Sequence, residues 1–142
     1  MSKQLYFTLA IILLTSVAVF AQHGKIINKD FVVDTYNTVD FDLYGEMQFE
    51  QWEADYILVE TTIKLWDTPK RLFTDFLNKG RYQNELKATD DKAVIRSVPI
   101  KRVKLGVEES VVSVIYYPAS FVVHDSKMVR QQPVLSSKEE KE

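Results

Sequence analysis

Residues Val39–Trp66, VDFDLYGEMQFEQWEADYILVETTIKLW, decide how this chain is read. Val39, Phe41, Leu43, Met47 and Phe49 occupy odd positions, while Asp40, Asp42, Glu46, Gln48 and Glu50 occupy even ones. That is the period of two expected of a strand with one dry and one wet face. Ile57, Val59, Thr61, Ile63 and Leu65 repeat the pattern against Glu60, Thr62 and Lys64. Between the two runs, Gln51-Trp52-Glu53-Ala54-Asp55 breaks the alternation over a length suited to a hairpin loop. The expectation is one long antiparallel hairpin, with a bulge at Gly45 where an inward apolar residue is missing.

Downstream, Asp67 or Thr68 can cap a helix whose first turn accepts Pro69. Leu72, Phe73, Phe76 and Leu77 fall on one side of it, and Gly80 is placed to take the left-handed conformation that ends helices. A second hairpin follows, Tyr82–Ala88 and Ala93–Val98 about an Asp90-Asp91 turn, closed by Pro99. Ser110–Tyr117, SVVSVIYY, is apolar on both faces and reads as a strand covered on both sides, stopped by Pro118. Phe121-Val122-Val123 reads as an edge segment. The fold class expected is mainly β with one short helix (α+β), an antiparallel sheet or small sandwich with the helix packed on one face.

Upstream, Lys3 precedes the nearly unbroken apolar run Leu5–Phe20, and Val19-Phe20-Ala21 offers a signal-peptidase site. Residues 1–21 therefore read as a cleaved signal peptide. The alternative is a retained membrane anchor, because the run is only a little short of the ~20 residues a spanning helix needs. No other apolar run is long enough to span, which predicts no transmembrane helix after signal removal. Residues 22–30 read as a flexible leader, 31–124 as one β-rich domain with a first short strand at Phe31-Val32-Val33, and 125–142 as a disordered polar tail.

The whole chain has 18 basic and 20 acidic residues, and loss of residues 1–21 removes only Lys3, leaving 17 against 20. That balance argues against nucleic acid as a partner, whose recognition needs an excess of Lys and Arg. There is no cysteine, which excludes disulfides, thiolate metal sites, a cysteine nucleophile and a lipid-bearing N-terminal cysteine. His23 and His124 stand far apart with no partner at ligand spacing, and no glycine-rich phosphate cradle follows a strand. No catalytic residue, metal ligand or cofactor is assigned. On a strand Asp40 and Asp42 lie ~7 Å apart and Glu46 and Glu50 ~13 Å, too far for a shared proton, and both pairs read as a wet sheet face. Lys101, Arg102 and Lys104 form a small basic patch that reads as a solvated strand face.

Aromatic residues carry the one positive signal for binding, since they bury a large area at small entropic cost. Trp52 and Tyr56 flank the loop, while Trp66, Tyr116 and Tyr117 lie on faces that can point outward. Trp52, Tyr56, Trp66 and Tyr116 are the candidate binding residues, with an envelope protein or a glycan as partner.

The order of FDLYGEMQFEQW, YILVETTIKL, PKRLFTDFLNKGRY, AVIRSV and VVSVIYYPASF, over Thr38–Val123, resembles the first part of the exported head domains of auto-transporter adhesins of Bacteroidota. The resemblance implies an exported, β-rich envelope module, periplasmic or on the cell surface, and brings no catalytic residue. The function expected is binding or structural interaction without catalysis. The alternatives are a small hydrolase using carboxylates such as Asp40 and Asp42, and an accessory subunit whose edge strands pair with a larger envelope protein.

Overall fold

The computed structural model describes residues 22–98 and 107–132. Residues 1–21, expected to be a signal peptide, residues 99–106 with Pro99 and the basic patch, and residues 133–142 lie outside the described residues. Among the described residues nine strands and one helix follow in order: β1 His23–Phe31, β2 Thr38–Asp42, β3 Glu46–Trp52, β4 Ile57–Trp66, α1 Lys70–Asn78, β5 Asn84–Thr89, β6 Lys92–Ser97, β7 Glu108–Pro118, β8 Phe121–His124 and β9 Lys127–Arg130. They form two sheets, sheet A in the order β1-β4-β7-β3 and sheet B in the order β5-β6-β2-β9-β8. The fold is mainly β with one short helix, as the alternation predicts. Both sheets are mixed, because β3 runs parallel to β7 and β2 parallel to β6.

The alternating run 39–50 is not one strand. It crosses from sheet B to sheet A at Leu43-Tyr44-Gly45, so Val39 and Phe41 face the core from one side and Met47 and Phe49 from the other. Odd positions stay inward through the crossing, which is why the sequence pattern survives it. The expected hairpin is also corrected. β3 and β4 run in opposite directions, but β7 is inserted between them and takes the ladder hydrogen bonds of both. Gly45 is no bulge within a ladder; it sits at the crossing with φ 91°, and a Cβ there would run into the Val111 carbonyl oxygen.

Residues 22–30 are not a leader. β1 pairs with β4 in register from His23↔Leu65 to Phe31↔Ile57. It reads as polar because it is the sheet edge, where the inward positions Lys25 and Lys29 are exposed; such charges also discourage edge pairing with other chains. The expected tail likewise begins with β9, bridging β2 and β8 with Met128 fully buried. Arg130 donates from Nη2 to the carbonyls of Val33, Asp34 and Tyr36 at 2.9, 3.0 and 3.1 Å, and its guanidinium lies 4.5 Å from the Phe121 ring centre. It thereby holds the β1–β2 link, which must turn from one sheet to the other.

Sheet A is longer than the sheet facing it, and this divides the core. Ile57, Val59 and Ile115 pack against Val39, Phe41, Ile95, Phe121 and Met128 of sheet B. Ile63, Leu65 and Val111 lie beyond it and pack instead against Phe73 of α1 and Tyr82. Between the two clusters runs a polar seam. The Thr61 and Ser113 hydroxyls pair at 3.0 Å, Asn84 Nδ2 donates to Thr61, Ser97 donates to Asn84 Oδ1, and the Tyr44 backbone N–H donates to Ser97 Oγ. Buried hydroxyls in an otherwise apolar sheet are thus satisfied by one another, which makes them tolerable in the core.

Helix α1 closes the second cluster with Phe73 buried and Phe76 and Leu77 partly so. Its start differs from expectation. Pro69 occupies the cap position without a side-chain cap, and Thr68 Oγ1 donates back to the Trp66 carbonyl at 2.9 Å. Its end is as expected: Gly80 has φ 72°, Gly80 N donates to Leu77 O and Arg81 N to Phe76 O, satisfying carbonyls of the last turn. The β5–β6 hairpin likewise turns at Asp90-Asp91, flanked by the pair Thr89↔Lys92.

Just past the helix, Arg81 makes a two-pronged contact with Glu109, Nη2 to Oε2 at 3.0 Å and Nε to Oε1 at 3.4 Å, with side chains only 10% and 12% exposed. Phe76 stacks beneath the guanidinium at 4.9 Å. Glu109→Ala takes the paired carboxylate from a nearly buried guanidinium, and a loss of about 3 kcal/mol in denaturant unfolding is expected. Tyr82 is buried against the same pair with its hydroxyl making no close hydrogen bond. Burial first, then the Glu109 carboxylate, push its phenol above the ordinary tyrosine value. A raised pKa in the folded state means the neutral phenol stabilises the fold below the unfolded value near ~10, and that contribution is lost as pH climbs above it. Tyr82→Phe is expected to leave stability at pH 7 nearly unchanged and to flatten its decline above about pH 10, read as melting temperature against pH.

Candidate functional site

The loop between β3 and β4 is closed by its own aromatic residues. Trp52 ends β3, and its indole Nε1–H donates to the Tyr56 carbonyl across the loop at 2.9 Å. The Tyr56 ring meets Trp52 edge-on at 4.8 Å between centroids. On the other side Trp52 lies against Tyr116 of β7 at 5.6 Å and 36°. Three of the four aromatic residues singled out from the sequence therefore form one half-buried cluster, and Trp52 is not a free ring at a loop tip.

The fourth does not join them. Trp66 lies at the far end of β4, about 27 Å from the cluster by strand length. Tyr117 turns inward and packs on the core, because its neighbour Tyr116 has taken the outer position.

Strand register places the cluster at one end of the outer face of sheet A. Directly opposed residues run across all four strands as Asp30, Leu58, Tyr116 and Glu50. The next row is Asn28, Glu60, Val114 and Gln48. The Tyr116 phenol is held above its ordinary value, first by partial desolvation and then by Glu60 and Glu50. Beside it, Asp30, Val32, Asp34, Asp55 and Tyr56 line an open cleft of about 270 Å³, with Val32 70% exposed. Tyr56 belongs to both the cleft and the aromatic cluster. A shallower hollow of about 450 Å³ at the opposite end of the face is lined by Gly24, Ile26, Thr62 and Lys64 among others.

The carboxylates weighed from the sequence are separated by the strand crossing. Asp40 and Asp42 lie on the outer face of sheet B, where Asp40 Oδ2 pairs with Lys92 at 2.8 Å and Asp42 is exposed. Glu46 and Glu50 lie on the outer face of sheet A, on the other side of the molecule, with Glu46 accepting from Gln48 Nε2. Neither Asp40 nor Asp42 lines the cleft. His23 stacks on Phe73 at 5.8 Å, while His124 ends β8 opposite Lys127. Among the described residues, no three of His, Cys, Asp or Glu are grouped so as to hold a metal ion.

Sequence reasoning missed Asp30, Asp34, Asp55 and Glu60 as members of this site. They come from β1, the β1–β2 link, the β3–β4 loop and β4, which are adjacent only because β1 pairs with β4. The Asp30–Asp34 spacing is the available local signal, hidden because Asp30 reads as the end of a leader and Asp34 as the residue after a short first strand. No helix among the described residues is long and apolar enough to cross a membrane. Compared with protein-family models, with curated proteins and with solved structures, the chain finds no match.

Proposed function

We propose that this protein is an exported cell-envelope module that binds a partner without catalysis, using the aromatic end of the outer face of sheet A. The observation carrying this reading is the convergence of Trp52, Tyr56 and Tyr116 beside a cleft that shares Tyr56. Half-buried aromatic residues held in place by neighbours lose little entropy when a partner covers them. Export rests on Lys3, the apolar run Leu5–Phe20 and the Val19-Phe20-Ala21 cleavage site. The resemblance to adhesin head domains agrees with a binding role in the envelope, periplasmic or surface-located. For the hydrolase alternative, Asp40 is held by Lys92 and Asp42 stands away from the cleft, so the two supply no acid–base pair there.

Capture from the native envelope, scored against an array of envelope glycans, tests the reading. Trp52→Ala and Tyr116→Ala are each expected to weaken recovery of whatever the wild-type chain binds by roughly thirtyfold, the effect of losing a central aromatic anchor. Trp66→Ala is expected to leave it unchanged. Equal recovery by wild type and both cluster variants, shown folded by circular dichroism, would overturn the assignment.

A further inference from the structure

We propose that the outer face of sheet A docks an extended, lysine- or arginine-bearing segment of a partner protein. Cationic side chains of that segment enter the Asp30/Asp34/Asp55 cleft and the space between Glu50 and Glu60 over Tyr116. This rests on the binding reading above and names the chemistry of the partner.

Charge compensation differs between the two faces. Of the ion pairs seen among the described residues, Asp40–Lys92, Glu85–Arg96 and Glu85–Lys87 lie on the outer face of sheet B, and Arg81–Glu109 is internal. The outer face of sheet A carries Asp30, Glu46, Glu50, Glu60 and Glu108 against Lys64, which stands at the end away from the cleft, and none of those pairs falls on it. Like charges crowded on one sheet face repel, and a cationic partner removes that cost.

Spacing selects the kind of cation. The carboxylates are too dispersed to be grouped around one metal ion. Asp30 and Glu50 stand on the two outermost strands, about 14 Å apart at ~4.8 Å per strand. Several charges along one flexible chain fit that layout, and an extended segment covers it with four or five residues at ~3.3 Å each. The aromatic cluster lies in the same strip, and ring faces attract the cations that carboxylates attract. A second copy of this chain fits less well, since its net charge is also negative and its sheet B face is already paired.

The test is fluorescence anisotropy of a labelled twelve-residue peptide alternating lysine and threonine, added to the whole mature chain at low salt. Binding is expected, falling by about tenfold as salt rises and the charges are screened. The double variants Glu50→Gln/Glu60→Gln and Asp30→Asn/Asp55→Asn are each expected to weaken it about fivefold, while Asp42→Asn on the opposite face changes nothing. A glutamate–threonine peptide is expected not to bind. Absence of lysine-peptide binding, or equal binding by the folded double variants, sinks the proposal. Displacement by spermidine at equal charge would reassign the face to small polyamines. If native capture still depends on Trp52 and Tyr116 while the lysine peptide fails, the binding reading stands and only the cationic partner falls. If capture ignores those aromatics, the binding reading itself falls.

Discussion

A chain truncated after His124 is expected not to fold, showing neither a cooperative melt nor the near-ultraviolet signal of packed aromatics. The cut removes β9, the strand that joins β8 to β2, and with it the ladders to both. Met128, fully buried among Val39, Phe121 and Ile95, goes too, and losing a buried methionine alone costs about 2–5 kcal/mol. Arg130 no longer ties the Val33, Asp34 and Tyr36 carbonyls, and Phe41 N loses its acceptor at Ser126. Against a total stability of about 5–15 kcal/mol for a domain of this size, these losses exceed what the remainder can carry. Truncation after Gln132 keeps every one of these contacts and is expected to melt like the chain of residues 22–142. Met128→Ala should fall between the two, lowering stability by a few kcal/mol in urea titration. A folded, cooperative protein ending at His124 would show that β9 is dispensable.

Gly45→Ala is expected to cost about 3–5 kcal/mol, through two effects that act at one residue. At φ 91° a residue with a Cβ is strained by about 1–3 kcal/mol. The added carbon also meets the Val111 carbonyl and comes within 2.9 Å of Val111 Cβ. Val111 pairs with Ile63 of β4, and β7 is held by β3 from the next residue on, so the central strand cannot yield cheaply. The misfit should therefore spread into the β3–β7 pairing, and hydrogen exchange is expected to accelerate along β3 before β4. Gly24→Ala is the control, because a Cβ there meets only the Ile63 carbonyl at an ordinary 3.5 Å. Equal stability of the two variants would remove the crossing as the reason for Gly45.

Much of the fold was legible because burial in a β-sandwich imposes a period of two that local sequence records. Val39, Phe41, Met47 and Phe49 declared their inward faces, as did Ile57, Val59, Ile63 and Leu65. The helix was legible through Phe73, Phe76 and Gly80, and the β5–β6 hairpin through Asp90-Asp91. Where an element lacked that period it was missed. β1 exposes Lys25 and Lys29 at inward positions because sheet B does not reach the edge, so its sequence resembles a linker. β9 is only four residues long and buries only Met128, too little for alternation to register.

For the site, residue types were legible and their meeting was not. Aromatic size marks Trp52, Tyr56 and Tyr116 as able to bury area, but 60 positions separate Tyr56 from Tyr116 in the chain. Trp52 bridges the two because β7 pairs with β3, entering between β3 and β4, and nothing local to either segment encodes that insertion. The same applies to Asp30, which becomes a neighbour of Asp55 and Tyr56 only through the β1–β4 ladder.

By itself the sequence Val39–Trp66 determined which residues turn inward, because the odd–even pattern depends only on solvent exposure at each position. Tertiary structure decided the rest: that the first run divides between two sheets at Gly45, and that its second half lies one strand away from the run it was expected to pair with. The physical reason is that backbone hydrogen bonds are chemically alike at every residue, so strand partners are chosen by the packing of the whole core and not by the strand that is nearest in the chain.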